Sequence, residues 1–442
     1  MTERALTALI NDTPVGTLQE VGGLWRFVYE ASWLSQPNSF ALSPHLPLGT
    51  ESIVDGASER PVQWYFDNLL PEEGQRVLLA ADAKIDGADA FRLLAWYGAE
   101  SAGSVSLLPA GTQPPLFEPL RRLTAQDLEA RIRSLPKLPL AHGAVKRMSL
   151  AGAQHKLAVV LQNDMLYEPA GAAPSTHILK PDHPDEDYSH SVINEWFVMR
   201  LARRLGLSVP NVKRLYVPSP VYVIERFDRV QADVGWERTH VIDACQLLGL
   251  DRSFKYSQGS VEVLAQLANA CRSPAVARAR LFGWLVFNVL VGNTDAHLKN
   301  LSFMVSAEGV QLAPFYDLLS VASYETPAFG KNTWPDHTQL AWPILNVYKF
   351  EQIDRTLLLK AAQVMGIAKG TAERLLDALC DRIEAQTTAL LSEVQKENVL
   401  ITRERAELAA TMGGELRCLR TIQHTIVKHM AQRLRRARSV SQ

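Results

Sequence analysis

Between Gly292 and Asn300 the chain reads GNTDAHLKN. An acid (Asp295), an imidazole (His297), an ammonium (Lys299) and an amide (Asn300) fall within six residues. Three readings compete for such a set. A metal hydrolase would need third and fourth donors converging on Asp295 and His297. No H-x-H or H-E-x-x-H stands nearby, and His142, His155 and His177 are isolated far upstream. A polar turn leaving a buried helix would need nothing more than what is there. Phosphoryl transfer needs a fuller set. One carboxylate accepts the proton of the acceptor hydroxyl, and an amide and a second carboxylate hold Mg²⁺ against nucleotide phosphates. A lysine, positioned by a glutamate, neutralises phosphate charge.

The rest of that set can be found. Asp295 and Asn300 have the D-x-x-x-x-N spacing of a phosphotransfer loop, and Asp317 follows 17 residues later, beyond a hairpin signal. Lys180 closes the strand-like stretch THILK, and Glu195 lies 15 residues on, in SVINEWFVMRLARRLGL. Glu195 sits among Val192, Ile193, Trp196 and Phe197, where a carboxylate is costly to bury without a cation, and Lys180 is the candidate partner. The phosphate-covering loop would be SLAGAQHK, Ser149 to Lys156. It has one glycine, Gly152, where a kinase loop has three, but Ala151 and Ala153 still allow backbone N–H groups close to phosphate. Gln154, His155 and Lys156 add donors.

The elements that must position these groups follow from periodicity and turn residues. ALTALI and GTLQ flank the turn-rich Asn11-Asp12-Thr13-Pro14, and WRFVYE alternates as a strand. PVQWYFDNLLPEEGQRVLLAA reads as a helix broken at Pro71. AFRLLAWYGAE is a further helix and SVSLLP a strand, so 1–108 forms an α+β subdomain. The proline-bearing stretch from residue 109 and a short helix capped by Thr124 make a connector over 109–145. KLAVVLQ and MLYEPA join across Asn163-Asp164; THILK, RLYVP and VYVIERF add strands, and a helix ending before Gly206 stands among them, giving a β-rich lobe over 146–240. From 241 to 442 the chain reads as a helical lobe. ARLFGWLVFNVLV should be a buried helix ending at Gly292, and the later helices should be separated by Gly366, Gly370 and Gly413-Gly414. Trp64, Trp96 and Trp284 lie in apolar helices and should be core. The order of strands, lysine, glutamate-bearing helix, strands, helices, D-x-x-x-x-N, hairpin and aspartate is that of an α+β, two-lobed protein-kinase-like fold with an added N-terminal subdomain.

Composition sets the frame. With 442 residues, 47% apolar and 21% charged, the chain can bury a large core, and a formal charge of -1 gives no global field toward nucleic acid or membrane. The four cysteines (Cys245, Cys271, Cys380, Cys418) form no C-x-x-C pair and read as reduced core thiols. No secretory leader pattern and no uninterrupted apolar run of membrane-span length is present, so a cytoplasmic location and no membrane are expected. The acidic DHPDEDYSH at 182–190 reads as a solvated loop, and the basic KHMAQRLRRARSVSQ, with Lys428, Arg433, Arg435, Arg436 and Arg438, as a helix end favoured by the dipole.

Taken together, SLAGAQHKLAVV, THILKP, NEWFVMRLARRLGL, VIERFDR, GNTDAHLKN and APFYDLLS resemble, in order, the landmark segments of the HipA family of serine/threonine kinase toxins. FDNLLPEEGQR and GAESAGSVSLLP are similar to that family's N-terminal domain. The resemblance implies an ATP- and Mg²⁺-dependent kinase in which Asp295 is the proton acceptor and Asn300 and Asp317 hold the metal. It implies that Lys180, the loop Ala151, Gly152, Ala153, Gln154, His155 and Lys156, the hinge Glu225, Arg226 and Phe227, and also His297, Lys299 and Tyr316 border the nucleotide. Ser149 would be an autophosphorylation site. A small helix-turn-helix antitoxin, with DNA met only indirectly or weakly through their complex, and a translation-related substrate such as an aminoacyl-tRNA synthetase would be the partners. His155 departs from the pattern, standing where an acidic residue is expected. The alternative reading is a non-catalytic, nucleotide-binding corepressor of such an antitoxin.

Overall fold

The computed structural model describes residues 3–113, 115–148, 150–233 and 235–435. The chain forms two compact units that alternate along the sequence. The first comprises Met1–Pro181, Leu215–Lys255 and Leu301–Ala313; the second comprises Asp182–Arg214, Tyr256–Asn300 and Pro314–Gln442.

The first unit opens on an antiparallel sheet of β1 (Arg4–Ile10), β2 (Thr13–Val21), β3 (Leu24–Tyr29), β4 (Ile53–Val54) and β5 (Val105–Pro109), in the order β4-β3-β2-β1-β5. Leu6, Leu18 and Phe27 are neighbours across β1, β2 and β3, and all three are buried. The β1–β2 turn is Asn11-Asp12 alone, both at positive φ (45° and 65°), the conformation a two-residue hairpin takes. Thr13 and Pro14, expected in the connector, already pair with Ile10 and Leu9. Pro71 does separate two helices, Pro61–Asp67 and Glu73–Ala83.

Of the three tryptophans expected in the core, Trp284 is fully buried, Trp64 is half-buried and Trp96 is 39% exposed. The eight-residue helix Ala90–Tyr97 buries Phe91, Leu93, Leu94 and Tyr97 on one face. Trp96 falls on the other, where the Arg147 guanidinium lies 3.4 Å from its ring centre.

A second sheet holds β6 (Arg121–Arg122), β7 (Leu157–Gln162), β8 (Met165–Glu168), β9 (His177–Pro181), β10 (Val212–Tyr216) and β11 (Pro220–Glu225), ordered β10-β11-β9-β7-β8-β6. Leu157, Val159, Leu179, Val221 and Val223 pack with Leu123, Leu128 and Met148. The helix supplying Leu128, Ala125–Arg133, is capped as expected: Thr124 Oγ1 accepts the Asp127 N–H at 3.1 Å. β12 (Arg229–Gln231) and β13 (Trp236–Arg238) form a hairpin. The hairpin expected after Asn300 is β15 (Ser302–Ser306) and β16 (Gly309–Leu312), but its sheet includes β14 (Val241–Asp243), a strand inside the stretch expected to be helical. Three residues are too short a run for periodicity to report; pairing with β15 makes them a strand.

The second unit is built around the helix Pro274–Val291, which packs on Val261–Ala270, Lys369–Cys380 and the Ile422–Val427 π turn. Phe282, Trp284, Phe287 and Leu290 are all buried. This helix is 18 residues long with mean hydropathy 1.3, enough to cross a membrane by length and composition, yet its apolar surface lies in the core. Gly292 stops it at φ +65°, and a Cβ there would meet Ile426 at 2.8 Å and Ala322 at 2.9 Å.

Gly370, Gly413 and Gly414, expected between helices, lie inside Lys369–Cys380 and Ala409–Thr421. At Gly414 the reason is space: a Cβ would sit 2.2 Å from the His190 ring. Gly366 does follow a helix end, at φ +75°. All four cysteines are buried thiols.

Pro184 to Tyr188 in the acidic run are exposed as expected, but Asp182 is not a solvated charge. Its Oδ1 accepts the Val192 N–H at 2.8 Å, at the start of the helix Ser191–Arg204, and burial pushes its carboxyl up to about 6. The raised folded pKa means that the protonated form is the better buried one. Stability should therefore fall as pH rises from the unfolded value of about 4 to about 6. Asp182→Asn keeps the acceptor and removes the charge. It should flatten this limb and gain ~1–2 kcal/mol at neutral pH, after discounting for the residue's partial solvent contact, in urea titrations across that range.

Candidate active site

The sequence positions singled out from Asp295 to Asp317 come together in the second unit around one loop. The loop starts from a clamp. Asn288, in the last turn of the buried helix, donates to Trp284 O at 2.9 Å and accepts from Asn293 Nδ2 at 2.8 Å, while Asn293 N–H bonds Asn288 O at 2.9 Å. Asn293 Oδ1 then accepts the Asp295 N–H at 3.1 Å. The Asp295 carbonyl is itself gripped twice, by the His297 N–H at 2.8 Å and by Asn300 Nδ2 at 2.9 Å. These bonds fix the Asp295 backbone, leaving its carboxylate at a half-buried position, and they hold His297, Lys299 and Asn300 buried beside it.

Two groups from elsewhere in the same unit fasten the loop. Tyr256 Oη donates to Asp295 Oδ1 at 2.6 Å, and its ring meets His297 edge-on with centroids 5.1 Å apart. Trp342 Nε1 donates to Ala296 O at 2.9 Å.

Asp317 is bound into the same framework. Tyr316 Oη donates to Lys299 O at 2.8 Å, so the residue before Asp317 is tied to the residue before Asn300. Asn293 Nδ2 lies 3.5 Å from the Asp317 carbonyl. Asp317 sits at φ +52°, an uncommon left-handed conformation outside glycine. The segment beyond it is held by a buried amide pair: Asn194 Nδ2 donates to Ser320 O at 3.0 Å and Asn194 Oδ1 accepts the Ser320 N–H at 2.8 Å. Asn194 precedes Glu195, which is 4% exposed on the same helix.

The remaining expected residues lie in the first unit. Lys180 on β9 is 6% exposed, pairs across the ladder with Tyr222 on β11, and holds Nζ 5.8 Å from the Tyr222 ring centre. The loop Ala151–Lys156 leads into β7. Lys156 Nζ donates to Ala151 O at 2.7 Å, curling the loop on itself. Gly152 adopts φ +108°, with its carbonyl accepting the Glu72 N–H at 3.3 Å, and a Cβ would stand 2.7 Å from Lys156 Nζ. His155 is buried, with Nδ1 3.1 Å from Gln75 Nε2. Ser149 lies outside the described residues.

Glu225 and Phe227 are partly exposed at the end of β11, whereas Arg226 is drawn inward. Its N–H bonds Thr176 O at 2.9 Å and its guanidinium joins Glu100, Ser175 and Asp228. Glu100 is at the centre of this cluster, fully buried, with Arg238 at 2.7 Å, Arg229 at 3.0 Å, Lys146 at 3.2 Å and Arg226 at 3.3 Å. Burial alone would raise its pKa; the four cations outweigh that and hold it well below the usual carboxylate range.

Near the end of the described residues, Arg433 donates to Ile353 O at 3.1 Å and Arg435 to Cys380 O at 3.1 Å, so both serve carbonyls at the ends of helical segments; Arg436 and Arg438 lie outside the described residues. Sequence reading did not find Tyr256, Trp342, Asn293 or the Glu100 cluster. Asn194 carried a signal, since an amide in the apolar run VINEWF needs a buried partner.

Among the described residues no three His, Cys, Asp or Glu side chains are placed to hold a metal ion. Magnesium in a phosphotransfer site needs fewer, since it takes one or two protein oxygens with water and phosphates. Asn300 would fit that role: its Nδ2 is committed to Asp295 O, which would leave Oδ1 to face a metal, and Asp317, next to the Tyr316 that bonds Lys299 O, would add a carboxylate.

The D-x-x-x-x-N loop with a following aspartate on a helical unit, and a buried strand lysine on a β-rich unit, are the parts of a kinase-like α+β fold. The comparisons give its family. Residues 6–108 match the HipA N-terminal domain and residues 148–387 the HipA-like C-terminal domain. The chain is 34% identical over 316 residues to the serine/threonine-protein kinase toxin HipA of Shewanella oneidensis, covering 67% of this chain and 70% of that protein. It is 37% identical over 337 residues to Y4mE of Sinorhizobium fredii, covering 73% of this chain and 79% of that protein. Its structure is similar to a chain of the Shewanella oneidensis HipA, HipB and operator DNA complex, with TM-score 0.74 and 28% identity over 97% of this chain and 99% of that one. The chain belongs to the HipA family of serine/threonine kinases.

Replacing Tyr256 by phenylalanine removes the hydroxyl on Asp295 and leaves the ring against His297. One hydrogen bond of ~0.5–1.5 kcal/mol corresponds to a several-fold fall in kcat, with KM for nucleotide little changed, in a steady-state phosphotransfer assay.

Proposed function

We propose that this chain is a protein kinase toxin that transfers the γ-phosphoryl group of ATP to a serine or threonine hydroxyl and is neutralised by a small helix-turn-helix repressor. The observation that carries the reading is the loop geometry: Asp295 is fixed through its backbone, its carboxylate is presented at a half-buried position, and Asn300 and Asp317 are tied to the same framework. Asp295 would take the acceptor proton. Asn300 and Asp317 would hold Mg²⁺, which, when bound, neutralises phosphate charge. Lys180 and the 151–156 loop would bind nucleotide phosphates, and His297 and Lys299 would serve as further phosphate contacts. Glu225, Arg226 and Phe227 would form the hinge that touches the base through backbone groups; the Arg226 N–H itself bonds Thr176 O.

The similarity to a HipA chain from a complex with HipB and operator DNA supports a repressor partner, with DNA met through it. A translation-related substrate such as an aminoacyl-tRNA synthetase, autophosphorylation of Ser149 and a cytoplasmic location belong to the same proposal.

The test is to incubate the purified chain with Mg·ATP and weigh it intact, then to repeat with a cell extract and radiolabelled ATP. One added phosphoryl group mapped to Ser149, or label on an extract protein, is expected. Nucleotide binding with no transfer to either would leave the corepressor reading in its place.

A further inference from the structure

The Glu100 cluster is not balanced. Lys146, Arg226, Arg229 and Arg238 surround two carboxylates, Glu100 and Asp228, so among the described residues the buried group holds four cations against two anions. Burial, and after it the neighbouring Arg226, lowers Arg229 to about 10, and burial lowers Lys146. Two of the four cations, Lys146 and Arg238, also line a cavity of about 250 Å³ in the first unit. Both are almost wholly buried at the side chain, at 6% and 9% exposure. Leu9, Leu108 and Pro174 give stretches of apolar wall beside the polar Asn11 and Ser106, and Trp236, 38% exposed, belongs to the same lining. Asp12 and Glu237 also line it, but both are exposed, where water screens them.

We infer that this cavity is a binding site for a small anion with a flat apolar body, its phosphate or carboxylate head on Lys146 and Arg238 and its ring against Trp236. A guanidinium and an ammonium side by side in a low-dielectric floor are the donors that such a head group takes in charge-assisted hydrogen bonds. The volume admits one small molecule of this kind, and Leu9, Leu108, Pro174 and Trp236 offer its body apolar contact. The site is separate from the proposed phosphotransfer residues: none of Lys180, Asp295, Asn300 or Asp317 lines it.

The probe is phenyl phosphate, with inorganic phosphate as the head alone and benzylamine as a cation of similar shape, each titrated calorimetrically into the full chain. Saturable binding of phenyl phosphate, weaker binding of phosphate and none of benzylamine are expected. Arg238→Gln should weaken phenyl phosphate about tenfold, the loss of one charge-assisted contact. It should fold, because Glu100 keeps Arg226, Arg229 and Lys146. Trp236→Ala, at an exposed position, should weaken phenyl phosphate several-fold and leave inorganic phosphate unchanged. Lys180→Met should leave all three unchanged. The inference is overturned if the wild type shows no saturable binding, if folded Arg238→Gln binds as the wild type does, or if Lys180→Met abolishes binding while Arg238→Gln does not, since the ligand would then occupy the nucleotide site.

Discussion

Replacing Asp295 with asparagine should lower phosphotransfer by about 10²–10⁴-fold while leaving the protein folded and able to bind nucleotide. Shape is conserved, and the amide oxygen can still accept from Tyr256 Oη, which now stands 2.6 Å from the carboxylate. The backbone bonds that hold the loop, from Asn293, His297 and Asn300, use main-chain atoms of residue 295 and are untouched. Only the proposed proton acceptor is removed. A fall in kcat with unchanged nucleotide affinity and melting temperature is the expected pattern. Folded Asp295→Asn protein that transferred phosphate at the wild-type rate would exclude Asp295 as the base. Asn300→Ala makes a useful contrast: it removes both the proposed metal oxygen and the brace on Asp295 O, and should raise the magnesium concentration needed for half-maximal rate.

Glu100→Gln should be the most destabilising single change in the first unit, by ~3–5 kcal/mol in urea unfolding, because it leaves four cations around a neutral amide in a buried site. The carboxylate holds together segments far apart in sequence: Lys146 before the 151–156 loop, Arg226 and Arg229 after β11, and Arg238 on β13. Wild-type stability should also fall in strong acid. Its folded pKa is depressed, so the contribution is present above the unfolded value and is lost as pH drops through the folded one. The control is Arg238→Gln, which trims the surplus of cations and should cost far less. In the double variant the loss should be smaller than the sum of the two, a coupling that a merely steric effect of the Glu100→Gln change would not produce.

What could be read in advance, and what could not, divides by range. The Asn163-Asp164 turn, the Thr124 cap, the helix ending at Gly292 and the D-x-x-x-x-N loop after it are local patterns, each written within a few residues. The groups that complete the loop are not local: Tyr256 reaches Asp295 across 39 residues and Trp342 reaches Ala296 across 46. A tyrosine or tryptophan gives no sign of its partner at such distance. Glu100, in GAESAG, reads as a polar turn because its cations lie up to 138 residues away. Gly413 and Gly414 misled for a different reason. Glycine marks both chain reversal and close packing, and at Gly414 the His190 ring decides for packing, inside a helix.

The alternation of the two units along the chain has a practical consequence. No single cut releases either one. The shortest continuous fragment with all of the first unit runs to Ala313 and carries Asp295 and Asn300 along without Asp317; the shortest with all of the second begins at Asp182 and includes β11 without its partner β9. Truncation therefore dismantles both halves together, and the roles of this protein have to be separated by point substitution in the intact chain.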